Sequence, residues 1–259
     1  MMRFAHGRLS GLALYGPALF FLMLSSFLLS ACRQQVDEQL YQGTALGTGY
    51  HITLYADLGA GQAAEIEAGI QGELANLEAQ RQILIRASVA AFAPFWVAPS
   101  AALQHEVDRR FHALAVDRLT LWLGHHAIAP VAVLVEVGGV MRGLGTPPAG
   151  AWRLSLEQPG LPGPEGARHV RLQDAALVHR FVQQEAAAPL VTPATPLSVS
   201  VIAADAGTAM REASLLIHAG PEEAIRLADE LDSAAKVVVK RPQGIEIHHT
   251  AALEPWLVR

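Results

Sequence analysis

Residues 131–145 restrict this chain more than any other stretch. Val131, Val133, Leu134, Val135 and Val137 make a run rich in β-branched residues, interrupted by one acid, Glu136, and followed by the pair Gly138 and Gly139. Such a run is stable only as a largely buried strand, because branched side chains suit a pleated surface. The glycine pair lets backbone approach a ligand or another chain closely, since no Cβ intervenes. Two readings of it stand together: a bulge or bend within a strand, and a binding edge with Glu136 as its charged group. Thr146, Pro147, Pro148 and Gly150 are turn residues. Residues 152–156 alternate apolar and polar, so the chain is expected to return there as a second strand, closing a buried hairpin on the first.

The remaining segments alternate strands with helices. Residues 50–55 alternate as a strand. Ile66, Ile70, Leu74 and Leu77 follow at spacings of four, four and three, which gives a helix over 62–86. Residues 87–99 are apolar but broken by Pro94 and Pro99, with Phe92, Phe95 and Trp96 as core or as a docking patch. Leu103, Val107, Phe111, Leu114, Leu119 and Leu123 give a second long helix, with Gly124 as its C-cap. The pair His125 and His126 invites a metal reading, but no acid or Cys stands at ligand spacing, and polar residues at a helix end explain it.

Further on, 159–166 is a loop, 169–173 a strand, 174–184 unassigned, and 185–196, with three prolines, an irregular connection. Residues 197–203 are a strand. Ala209, Ala213, Leu216 and Ile217 mark a helix over 208–219, and Pro221 opens the next one. Residues 235–239 and 244–247 make a closing hairpin. The fold expected is α+β, a mixed or antiparallel sheet with helices packed on it.

The first 31 residues are read as an export signal: Arg3 and Arg8 with no acid, an apolar run from 12 to 29, then Ser30 and Ala31 before Cys32. Cys32 is the only cysteine among 259 residues, so no intrachain disulfide is possible. Small residues directly before a lone Cys resemble the bacterial lipobox, which implies lipidation of Cys32 and a membrane anchor facing the periplasm. A plain signal peptide and a retained transmembrane anchor are the alternatives; the lack of a basic stop-transfer cluster argues against the latter. Residues 32–42 are read as a tether and 43–259 as one domain. A net charge of −5 excludes the basic surface that nucleic-acid binding needs.

Four stretches resemble, in this order, the FAD:protein FMN transferases, the ApbE-like flavin transferases. Residues 43–48, Gly-Thr-Ala-Leu-Gly-Thr, resemble the opening motif of the family. Ala115, Val116 and Asp117 resemble a helix that in the family carries Lys-Gly just before Ala-Val-Asp. Glu136, Gly138 and Gly139, with Arg142 and Gly145 and then 152–159, are the nearest match. Residues 197–220 resemble the strand and helix of the family's metal site. The resemblance implies FAD as substrate, Mg²⁺ as cofactor, and FMN transfer to a Ser or Thr of a target flavoprotein or membrane redox subunit. It implies Asp117, Glu136, Gly138 and Gly139 as cofactor-binding residues.

The departures fall on the chemistry. His112 and Ala113 stand where the family has Lys-Gly. Met210 stands where it has the metal-site Asp, and Ser214 where it has a Thr four residues on. The Thr-Ser-Gly stretch is replaced around 177–181, and the family's His-x-x-Asp-Pro-x-Thr-Gly loop by 187–196. A thioether does not hold Mg²⁺, which takes hard oxygen ligands, and phosphoryl transfer needs a cation to neutralise developing charge. Glu212 and Asp205 are the nearby acids, but Glu212 lies about 200° around the helix from Met210, and both read as solvated surface acids. Weak or absent transferase activity is therefore expected, the alternative being a non-catalytic flavin-binding or accessory scaffold lipoprotein.

Overall fold

The computed structural model describes residues 36–92, 101–126, 130, 132–156, 168–181 and 196–258. Cys32 and the export segment, Phe95 and Trp96, the 159–166 loop and the connection 185–195 lie outside them. Ten strands, four helices and a closing 3₁₀ turn are described: β1 (Asp37–Ala45), β2 (Thr48–Ala56), α1 (Gln62–Phe92), α2 (Ala101–His126), β3 (Ala132–Val137), β4 (Val140–Gly145), β5 (Trp152–Leu156), β6 (Arg168–Leu172), β7 (Ala175–Phe181), β8 (Ser198–Ala203), α3 (Ala206–His218), α4 (Pro221–Glu230), β9 (Ala234–Arg241), β10 (Gly244–His249), and the turn Ala251–Trp256. Eight strands form one sheet in the order β1-β2-β3-β4-β7-β8-β9-β10, and every neighbouring pair is antiparallel. The expected α+β architecture is found in its antiparallel form.

The central strands are buried on both faces, which is why they read as continuous apolar runs; β7 and β8 are buried almost throughout. Val133, Val135 and Val137 face the helices, together with Val178, Val199 and Val237. The opposite face carries Ala132, Leu177 and Ile202 under a lid of β5, β6 and the 3₁₀ turn. Trp152 reaches this face because Gly143 has no Cβ; one would stand 2.7 Å from Trp152 Cδ1. Among the described residues no helix is long and apolar enough to cross a membrane.

Several expectations are corrected. Residues 37–42, read as tether, belong to β1, paired to β2 from Asp37 to Ala45. Its polar composition fits an edge strand with one exposed side, and Tyr41 is its anchor in the core. The hairpin of the central stretch is not between 131–145 and 152–156. It closes at Gly138 and Gly139, with Val137 opposite Val140. Both glycines have positive φ, 57° and 81°, the pattern of a two-residue type I′ turn. β5 pairs with β6 in the separate small sheet. Gly124 is not a cap: α2 continues to His126, whose Nδ1 lies 3.0 Å from the Trp122 carbonyl while its ring stacks on the indole. The unassigned stretch after Asp174 is the buried strand β7.

Candidate functional site

Asp117 sits midway along α2, facing the sheet and the start of α3. Arg142 Nη1, from the helix-facing side of β4, donates to its Oδ1 at 2.6 Å. The backbone N–H of Ala206 donates to the same oxygen and that of Gly207 to Oδ2, each at 2.9 Å. Asp205, read from sequence as a surface acid, is the N-cap of α3: it accepts from Thr208 N at 2.7 Å and from the Thr208 hydroxyl at 3.0 Å. Burial raises the Asp205 carboxyl, but the Thr208 bonds and the nearby Arg142 and Arg211 hold it below its ordinary value. The first N–H groups of α3, an anion site in many nucleotide-binding proteins, are thus filled by two of the chain's own carboxylates.

His112 lies next to Ala113 and one turn before Val116 on the buried side of α2. Its Nε2 stands 3.1 Å from the Leu46 carbonyl at the β1–β2 turn. A carbonyl only accepts, so Nε2 carries the ring proton. Burial lowers its pKa, outweighing the Leu46 bond. A neutral ring therefore stands at neutral pH where the resemblance has a lysine. Gly138 packs against it: a Cβ there would be 2.5 Å from His112 Nδ1, whereas one on Gly139 would meet nothing within 4 Å.

Glu136 is not brought to this cluster. It follows Leu134 on the sheet face opposite α2 and α3, in register with His51 and Met141. Asp117, His112 and Gly138 share the helical side; Glu136 does not.

Met210 is buried, 3 % exposed, and Ser214 follows one turn later on the same face of α3. Ser214 is held in a closed set of contacts. Its hydroxyl donates to Glu106 Oε1 at 3.0 Å, and Arg180 Nη1 donates to its oxygen at 2.5 Å. Arg180, from β7, also grips Glu106 through Nη2 to Oε2 at 2.9 Å and Nη1 to Oε1 at 3.4 Å. Burial raises the Glu106 carboxyl, but Arg180, Ser214 and His218 bring it below the ordinary range. A cavity of about 650 Å³ opens beside this set, walled by Ala113, Met210 and Leu215 and edged by Arg110, Arg211 and His218.

Neither a protein-family model nor a curated protein sequence matches this chain. Its structure is similar to that of the flavin transferase ApbE from Vibrio cholerae, with a TM-score of 0.66 at 13% identity, covering 86% of this chain and 100% of that one. The apo form of the flavinyl transferase ApbE from Pseudomonas stutzeri gives 0.65 at 16% identity, over 86% of this chain and 98% of the other. The ApbE protein from Thermotoga maritima gives 0.62 at 13% identity, over 86% and 100%. The chain has the ApbE flavin-transferase fold.

In this version of the flavin-transferase fold, the positions expected to hold Mg²⁺ do not fit it. Met210 offers a buried thioether, and the Ser214 hydroxyl is held between Glu106, to which it donates, and Arg180, from which it accepts. Among the described residues, no group of three or more His, Cys, Asp and Glu side chains is placed to hold a metal ion. Arg180 and Glu106 were missed by sequence reasoning. Arg180 lies inside a strand with both faces buried, where a charge requires a partner, but that stretch was unassigned from sequence, so the signal was hidden with the strand. Glu106, among the charged residues of α2, had no such mark.

Proposed function

We propose that this chain is a membrane-anchored lipoprotein of the flavin-transferase type that binds a flavin nucleotide, with little or no Mg²⁺-dependent transfer of FMN from FAD to a target Ser or Thr. The observation that supports it is the cavity between α2 and α3. Its wall of Ala113, Met210 and Leu215 suits a flat aromatic ring system, and the guanidinium groups of Arg110 and Arg211 at its edge suit phosphate. The structural neighbours are flavin transferases, which supplies the ligand class. The donor set at Met210 and Ser214 argues against the metal step. On this reading Cys32 carries the lipid, and the partner is a flavoprotein or redox subunit at the same membrane.

The test uses the full chain in detergent. Calorimetric titration with FAD should show one saturable site with the same affinity in Mg²⁺ and in EDTA. Incubation with FAD, Mg²⁺ and a flavinylation target should leave the target without a covalent FMN mass. Absence of FAD binding would end the flavin reading. Covalent FMN on the target at a rate comparable to an active transferase would restore the full enzymatic one.

A further inference from the structure

We propose that the Arg180 guanidinium takes the place of a divalent cation beside this cavity and keeps metal out of it. The proposal deepens the reading above, but its evidence is the geometry of four side chains. Arg180, Glu106 and Ser214 form a ring of contacts: guanidinium to hydroxyl at 2.5 Å, hydroxyl to carboxylate at 3.0 Å, carboxylate back to guanidinium at 2.9 Å. The serine hydroxyl has one proton, given to Glu106, and its oxygen accepts from Arg180. Both oxygen-bearing groups that could bind a hard cation are therefore already bound to an internal one. Met210, one turn before Ser214, adds no charge.

The local charge also opposes a metal. Among the described residues Glu106 is the only acid lining the cavity, and Arg110 Nε stands 3.9 Å from it in addition to Arg180. Arg109 is near enough that, after burial, the positive charge of Arg180 further lowers its pKa. A dication entering here would meet three guanidinium groups around one carboxylate. To reach Glu106 it would have to displace Arg180, whose side chain is 8% exposed and whose Nε has no hydrogen-bond partner among the described residues. Displacement would leave a buried, unpaired guanidinium, a costly state. Arg180 reaches the site from the sheet, in the stretch where the resemblance places Thr-Ser-Gly, so the positive charge comes from an element that the metal ligands do not use.

The experiment is Mn²⁺ binding to the full chain, read by the loss of the free-ion electron paramagnetic resonance signal. The wild type should bind no Mn²⁺ at this site. Met210→Asp should bind none either, because Arg180 remains to pair with the new carboxylate. Met210→Asp combined with Arg180→Ala places two carboxylates and a hydroxyl together without the guanidinium, and should gain one submillimolar Mn²⁺ site per chain. Circular dichroism establishes that each variant is folded. A wild-type Mn²⁺ site that disappears in Ser214→Ala overturns the proposal, as does a folded double variant that binds none. If the double variant does not fold, the Met210→Asp chain decides: a Mn²⁺ site there overturns the proposal, and none supports it. FAD titration of the same preparations separates the two ideas, since lost flavin binding with the expected Mn²⁺ results ends only the flavin reading.

Discussion

Replacing Asp117 by alanine should destabilise the domain well before it tells anything about a ligand. The carboxylate accepts from Arg142 at 2.6 Å and from the Ala206 and Gly207 amides at 2.9 Å. Hydrogen bonds to charged groups contribute about 1.5–3 kcal/mol each, and removing a helix cap costs about 1 kcal/mol. The contacts share one carboxylate and do not add. Asp117 and Arg142 are 18% and 17% exposed, so a stranded guanidinium is partly relieved by water. A loss of about 3–4 kcal/mol follows, near the lower end of the range for breaking a buried pair and a large share of the stability of an ordinary domain. Asp117→Asn keeps the shape and one acceptor but turns an amide donor toward other donors, and should lose about 2 kcal/mol. Urea titration should show the midpoint falling at constant slope. In an Asp117/Arg142 double-mutant cycle the two residues should couple by about 1–3 kcal/mol. A loss under about 1 kcal/mol with FAD affinity abolished would refute the reasoning. Asp117 would then be a ligand group, as the resemblance implies, and not the joint between α2, β4 and α3.

Three further outcomes are expected. Gly138→Ala should cost more stability than Gly139→Ala in thermal melts: both positions have positive φ, but only the first would drive a Cβ to 2.5 Å from His112 Nδ1. Acid should destabilise the chain through His179, which burial, then Lys236, lower from its ordinary 6.5 to about 4. The unfolded chain binds the proton first, so stability falls as pH drops from 6.5 to about 4, by up to about 3 kcal/mol. His179→Gln should flatten that slope in urea titrations across the window. Cys32→Ser should release the protein from the membrane fraction or block processing; unchanged membrane association with the signal still cleaved would remove the lipid anchor.

The sheet was legible where burial and chain reversal leave marks in composition. β3 and β8 show as β-branched runs, and β9 and β10 as a hairpin about a short turn. The polar edge strand β1 was hidden, since an edge exposes one side and needs few apolar residues. The turn at Gly138 and Gly139 was read as a bend because a two-residue reversal occupies no more sequence than a bulge. That error also put the hairpin in the wrong place. At the site, the substitutions at His112 and Met210 were visible, but not what replaces their charges. The partners of Ser214 are 108 residues away on α2 and 34 away on β7, and no local spacing encodes such a meeting.

The departures make physical sense as a set and not singly. A buried Asp at position 210 with no metal would be an uncompensated charge; Met210 removes it and fills the space with apolar volume. A metal-free Glu106 would be left in the same position, and Arg180 neutralises it with a forked pair. A lysine at position 112 would place another positive charge on the α2 that already carries Arg109 and Arg110; His112, neutral and bonded to Leu46, does not. Each change removes the electrostatic problem created by another. On the proposal above, Met210→Asp alone would place a carboxylate beside a site whose cation is a side chain, which is why that single substitution is not expected to create a Mg²⁺-dependent enzyme.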